Sequence, residues 1–198
     1  MPTIRHRHRA AFTLLEVLIV LVIIGILSGM LIPSANPNLF AQLQSAASIL
    51  GNDLDYARNL AVVNADPYKI TFNLTANQWV LKHSGTNSAL DPLPITPFHL
   101  PSDLPNEQTV DLASLPSVAG AVRLWAVWSM STTPQSVGDL EFSALGSTTR
   151  TMPTMIWLAA GSGAQTRYIS VRVNPVTGLY WVENFQAAAP NPGAFAGS

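Results

Sequence analysis

Glu16 stands near the start of a 21-residue run, Phe12 to Ile32, whose other polar members are only Thr13, Ser28 and the glycines Gly25 and Gly29. In a hydrocarbon setting a charge inside so apolar a segment costs roughly 3 kcal/mol unless a counter-charge meets it. The chemistry on offer is therefore charge pairing, a carboxylate waiting for a cation, rather than proton transfer to a substrate. Other chemistry-bearing residues are sparse. His6 and His8 belong to a basic leader, His83 ends an expected strand, and His99 lies among prolines; none has a neighbour at metal-ligand spacing. There is no cysteine, so no disulfide and no thiolate zinc site. Asp91, Asp103, Glu107 and Asp111 could gather around calcium, but their spacing fits no EF-hand loop. Gly161-Ser162-Gly163 lacks the Gly-x-Ser-x-Gly elbow and reads as a tight turn. This inventory predicts no catalytic residues, no metal and no cofactor.

The element that must carry Glu16 is the apolar run itself. About 20 apolar residues span the hydrocarbon layer as a helix, and the flank Arg5-His6-Arg7-His8-Arg9 should stay on the cytoplasmic side. An ordinary secretory signal is the plain alternative. Two features count against it: the carboxylate at the head of the apolar run, and a cut that the motif described below places before that run, where an ordinary signal is cut after it. Acids near a span can also snorkel to the interface, which would leave Glu16 without an assembly role.

Basic leader, small residue, Phe12-Thr13-Leu14-Leu15-Glu16 and an aliphatic run together resemble the class III signal of type IV prepilins and type II secretion pseudopilins. The resemblance implies cleavage by a prepilin peptidase between Ala11 and Phe12, then N-methylation of Phe12. Most members carry Gly before the cut; Ala11 adds one methyl group, which implies slower processing. Counted from Phe12, Glu16 is the fifth mature residue, the family's signature carboxylate. There it is expected to meet the free amine of a neighbouring subunit and set the register between helices. Gly25 and Pro33 fall where pilin-like helices commonly carry a glycine and a proline. Proline removes a backbone hydrogen bond and clashes with the preceding turn, so a kink is expected near Pro33 to Asn38, although Pro33 could simply end the span.

Beyond the bend, Leu39, Leu43, Ala46, Ala47, Leu50, Leu54, Ala57 and Ala61 recur at three- and four-residue spacing, an amphipathic helix. Phe40, Ile49, Leu60 and Val63 broaden the stripe, while Asn52, Asp53 and Asp55 sit off it. Asn38 is the expected N-cap, and Asn64-Ala65-Asp66-Pro67 the stop. After Pro67 the signals turn to β: a hairpin around Thr75-Ala76-Asn77, then strands at 121–128, 140–142, 155–158, 168–173 and 179–183. The interval 84–118, with six prolines, reads as a surface excursion with no core of its own. Trp125 and Trp128, three apart in one strand, are expected on opposite faces. The expected fold is α+β: a long N-terminal helix packed on an antiparallel two-sheet domain. Its parts are a leader at 1–11, a transmembrane half at 12–32, an amphipathic half at 33–66, the β domain at 67–185 and a flexible tail at 186–198. Glu141-Phe142-Ser143-Ala144-Leu145-Gly146-Ser147, with Ile169–Val173 and Thr177-Gly178, resembles the H-type minor pseudopilins and their fimbrial T-type relatives.

Composition narrows the function. The formal charge is −1, but past the leader seven basic residues face eleven acidic ones, a balance of −4 with no evident basic patch for nucleic acid. Arg123, Arg150, Arg167 and Arg172 are few, though all lie in the second half. The leading expectation is a minor pseudopilin, a structural and non-enzymatic subunit of a type II secretion system. It would sit in the bacterial inner membrane as a single-pass protein with its domain in the periplasm, and join a short periplasmic filament. Its partners would be the peptidase, other pseudopilins or pilins through helix packing, and the inner-membrane assembly platform. A minor type IV pilin serving pilus assembly or DNA uptake is the alternative, and a membrane-tethered periplasmic binding module or enzyme the alternative of another class.

Overall fold

The computed structural model describes residues 14–31, 39–94, 103–118 and 120–191. The chain divides into two units, Met1–Pro37 and Asn38–Ser198. In the first, helix α1 runs Leu14–Leu31. Its 18 residues are long aliphatic formers broken only by Glu16, Gly25, Ser28 and Gly29. At 1.5 Å per residue that is about 27 Å, against a hydrocarbon layer of about 30 Å. Among the described residues no helix is long and apolar enough to cross a membrane. Gly25 lies inside the continuous helix. Ala11, Phe12, Pro33 and the expected Asn38 cap lie outside the described residues.

In the second unit, helix α2 spans Leu39–Asn64 and buries Leu43, Ala46, Ala47, Leu50, Leu54, Ala57 and Ala61, the expected stripe. Alanines on that stripe let the helix lie close against the strands beneath it. Leu60 is buried and Ile49 half-buried against the core, but Phe40 and Val63 are exposed. The helix stops as expected: Ala65 takes a left-handed φ of 52°, and the Asp66 amide donates to the Ala61 carbonyl, ahead of Pro67.

Two antiparallel sheets carry the helix. In the first, strands β1 (Tyr68–Asn73) and β2 (Gln78–His83) form the expected hairpin. Its turn is closed by Asn73, whose side chain accepts from the Ala76 amide, and by Asn77 at a φ of 58°. Strand β3 (Gln108–Asp111) pairs with β2, and β6 (Asp139–Phe142) pairs with β1. The second sheet runs β5-β4-β7-β8-β9, from β4 (Val122–Ser129), β5 (Gln135–Ser136), β7 (Thr154–Ala160), β8 (Arg167–Val173) and β9 (Tyr180–Val182). Asn77 stitches the sheets together: its amide group donates to the Val122 carbonyl and accepts from the Leu124 amide. The main core lies between α2 and both sheets.

Three expectations change. The interval 84–118 is not coreless: it supplies edge strand β3 and buries Leu93, Val110, Leu112 and Val118, since its apolar residues sit between the prolines where β2 still offers an open edge. Trp125 and Trp128 share one face. The ladder between β4 and β7 slips at Trp125, pairing Leu124 with Leu158 and Ala126 with Trp157, so an extra residue resets the alternation. Trp125 then meets Tyr168 edge-on and Trp128 meets Trp157, both on the face turned away from α2. Finally, order runs past the expected start of the tail, because Gln186 exchanges two backbone hydrogen bonds with Tyr168.

Candidate assembly site and the latch behind the domain

Helix α1 presents Glu16 among exposed aliphatic side chains. From Leu14 to Ile24 every large apolar residue is between 47% and 84% exposed. So much contiguous apolar surface is not stable against water and marks a face that lipid or another chain covers. A carboxylate in that face can pair with a cation brought by whatever covers it.

The second unit brings together the two motif fragments of the C-terminal half. The turn after β6 closes through Gly146, whose amide donates to Ser143, and the turn between β8 and β9 through Gly178, whose amide donates to Asn174. Both glycines are left-handed, at φ of 79° and 66°. They also approach each other: a Cβ on Gly178 would lie 2.0 Å from the Gly146 carbonyl oxygen. The Nε of Arg58, on α2, donates to that carbonyl at 3.2 Å and to the Thr177 carbonyl at 2.8 Å. One guanidinium thus fastens two turns, 31 residues apart in sequence, to the helix. Arg58 was missed because a single charge off an apolar stripe reads as a solvated side chain. Beside it on α2, Gly51 lets the Tyr180 ring of β9 lie where a side chain would be.

Asp53 was also missed. Expected off the stripe, it is buried and accepts a 2.7 Å hydrogen bond from the Trp79 indole of β2. Burial raises its pKa to about 6, against the opposing pull of that hydrogen bond. The signal that could have found it is its spacing from Leu50 and Ala57, which puts it at the edge of the buried face.

His83 sits with its side chain 1% exposed between two acids. Its Nδ1 lies 2.8 Å from Asp91, and its Nε2 is 3.2 Å from Asp66 but off the hydrogen-bonding direction. The two acids flank opposite edges of the ring, so they cannot converge on one ion. The four acids considered for calcium are not brought together either. Asp91 is taken by His83, Asp103 by the Thr109 amide, Glu107 by Lys82 and Asp111 by the Ala113 amide. Among the described residues no cluster of three or more His, Cys, Asp or Glu is placed to hold a metal. Each of the four arginines has a partner: Arg150 pairs with Asp139, Arg172 lies 4.0 Å from Glu183, and Arg123 and Arg167 donate to nearby turn carbonyls.

Residues 6–32 match the family described as the prokaryotic N-terminal methylation motif. The chain therefore carries a prepilin-type methylation motif ahead of an α+β domain. Its fold is similar to two crystal structures of the type IV minor pilin FimU of Pseudomonas aeruginosa, in space groups P21 and P65. Each is 16% identical over 72% of this chain and over 88% and 93% of those chains, with TM-scores of 0.45 and 0.44. No curated protein matches the sequence.

Proposed function

We propose that this chain is a minor structural subunit of a pilin-like filament, and that the filament is a type II secretion pseudopilus. The observation that carries the reading is the methylation motif over residues 6–32, with Glu16 placed four residues after Phe12. In this reading a prepilin peptidase cuts between Ala11 and Phe12 and methylates the new amine of Phe12. The segment 12–32 holds the precursor in the inner membrane, and the domain faces the periplasm. On assembly the apolar surface of α1 leaves lipid for the helices of other subunits. The carboxylate of Glu16 then pairs with a neighbour's terminal amine, and Gly25 and Pro33 allow the helix to bend. The role is mechanical: the domain is displayed on a helix rather than equipped for turnover. The choice of an H-type subunit rests on the sequence resemblance of Glu141–Ser147, Ile169–Val173 and Thr177-Gly178. A minor type IV pilin uses the same motif and stays as the second reading.

Glu16→Ala should remove the subunit from purified filaments while leaving the thermal unfolding of the domain unchanged. Normal incorporation of that variant would overturn the assembly role. Deleting the gene should stop protein export and leave pilus-dependent motility intact; the reverse pattern would select the pilus reading.

A further inference from the structure

The face of the second sheet turned away from α2 holds a second buried cluster around Met155, Trp157 and Tyr168. At one end of that face is a cleft of about 430 Å³, walled by Met130, Met152 and Met155. Ser170 lines it with 0% exposure, and its hydroxyl has no hydrogen-bond partner among the described residues. Arg172, two residues along β8 and so on the same face, lines it too. Its guanidinium stacks over Trp181 at 5.4 Å, while its Nε is buried and likewise without a partner there. Glu183, at the edge of the cleft, does not meet that need. Its Oε1 accepts from the Trp181 indole at 3.0 Å and stays 4.0 Å from Arg172 Nη1, too far for a hydrogen bond. Buried polar groups are seldom left unsatisfied, and both Ser170 and Arg172 can donate. The cleft asks for an oxygen acceptor, and beside a guanidinium a charged one binds best.

The apolar and polar parts of the cleft lie side by side. Met155 is the direct partner of Arg172 in the ladder between β7 and β8, so their Cβ atoms stand about 5 Å apart. A ligand must therefore carry its apolar group next to its acceptor, not in line behind it. A fatty acid has the wrong shape, because its chain runs straight away from the carboxylate. An aspartate or glutamate side chain brings the acceptor with no apolar group beside it. The last residue of a polypeptide carries both on one carbon. Asn184 and Gln186 border the cleft, and their amides suit the peptide groups that precede that residue. Methionine walls move aside readily and favour aromatic rings through sulfur–ring contacts. We propose that the cleft binds the carboxy-terminal end of a partner polypeptide whose last residue is aromatic. The ring enters among the methionines, and the carboxylate accepts from Ser170 Oγ and Arg172 Nε. A volume of about 430 Å³ lies within the range of pockets that take small ligands, so the cleft holds the end of the partner and not a long stretch of it. The inference rests on the cleft and is independent of the filament reading.

The chain has five methionines, Met1, Met30, Met130, Met152 and Met155, so methyl-labelled methionine reads the cleft by NMR and carries its own controls. The full chain in detergent is titrated with acetyl-glycyl-glycyl-phenylalanine and, separately, with the same peptide as its carboxamide. The free acid should shift the methyl signals of Met130, Met152 and Met155 saturably and leave those of Met1 and Met30 in place. The carboxamide should bind about tenfold more weakly, because it forfeits charge-assisted hydrogen bonding. Ser170→Ala should weaken the free acid by about fivefold, the worth of one hydrogen bond. Since that hydroxyl has no partner in the free chain, the same variant should keep its thermal unfolding temperature, which separates lost binding from lost fold. Arg172→Lys, which keeps the charge and removes Nε, should weaken the free acid to a similar extent. Equal affinity for acid and carboxamide, octanoate bound as tightly as the peptide, or parental affinity in both variants would overturn the proposal. So would the absence of any shift, or shifts confined to Met1 and Met30, the mark of a peptide that has merely entered the micelle.

Discussion

Helices α1 and α2 are both largely apolar, and each sets an acid, Glu16 or Asp53, against its hydrophobic residues. In α2 the apolar stripe is buried by strands of the same chain, and its buried acid, Asp53, meets the Trp79 indole. In α1 the side chains from Leu14 to Ile24 stay exposed all the way round. The difference lies in pattern more than in amount of hydrophobicity. A one-sided stripe can be satisfied by a single sheet, whereas a helix apolar on every side needs an environment on every side. The two helices belong to different units of the chain, and their stabilities should respond separately to substitution.

The largest effect that would sharpen this contrast comes from truncating one leucine in each helix. Leu54→Ala, at a fully buried site in α2, should cost the domain 2–5 kcal/mol in chemical denaturation. Leu18→Ala, at a site 53% exposed in α1, should leave the same transition within about 0.5 kcal/mol. A matching loss from both would break the separation between the two units. Next in size is the latch. Gly178→Ala combines a left-handed φ with a Cβ 2.0 Å from the Gly146 carbonyl, and should cost about 2–3 kcal/mol in the same assay. An unchanged midpoint would show that the two turns can part without loss.

The smallest expected change concerns Asp53, the buried acid of α2. The folded pKa of Asp53, raised to about 6, lies above its unfolded value of 3.8. Between those values the folded state holds the extra proton, so stability from this group is full below pH 4 and falls as pH rises toward 6. Asp53→Asn keeps an acceptor for Trp79 and removes the charge. It should raise stability at pH 7 by on the order of 1–2 kcal/mol and flatten the pH 4–6 slope. Urea titrations at pH 4 and pH 7 measure both, and a variant with the parent slope would show that Asp53 titrates normally.

Much of this was legible in the residues. The apolar stripe of α2 from Leu43 to Ala61, its stop at Pro67, the hairpin at Asn77 and the positive φ of Gly178 follow from local spacing and from which residues tolerate a left-handed backbone. The methylation motif is equally local, a string of residues within positions 6–32. What escaped was whatever depends on a distant partner. The edge strand at Gln108–Asp111 exists because β2 offers it an open edge, and no periodicity in a proline-rich interval announces that. The common face of Trp125 and Trp128 depends on a one-residue slip against β7 that only pairing reveals.

By itself, then, the order of residues determined which segments are helical or extended, where turns fall, and that the amino end carries a methylation motif running into an apolar helix; these depend on neighbours within a few positions. Tertiary structure alone decided that Arg58 binds two turns at once, that Asp53 is buried on an indole, and that His83 lies between Asp66 and Asp91. Each of those depends on atoms from segments far apart in the chain meeting within about 3 Å, a condition that packing imposes and that no short window of sequence contains.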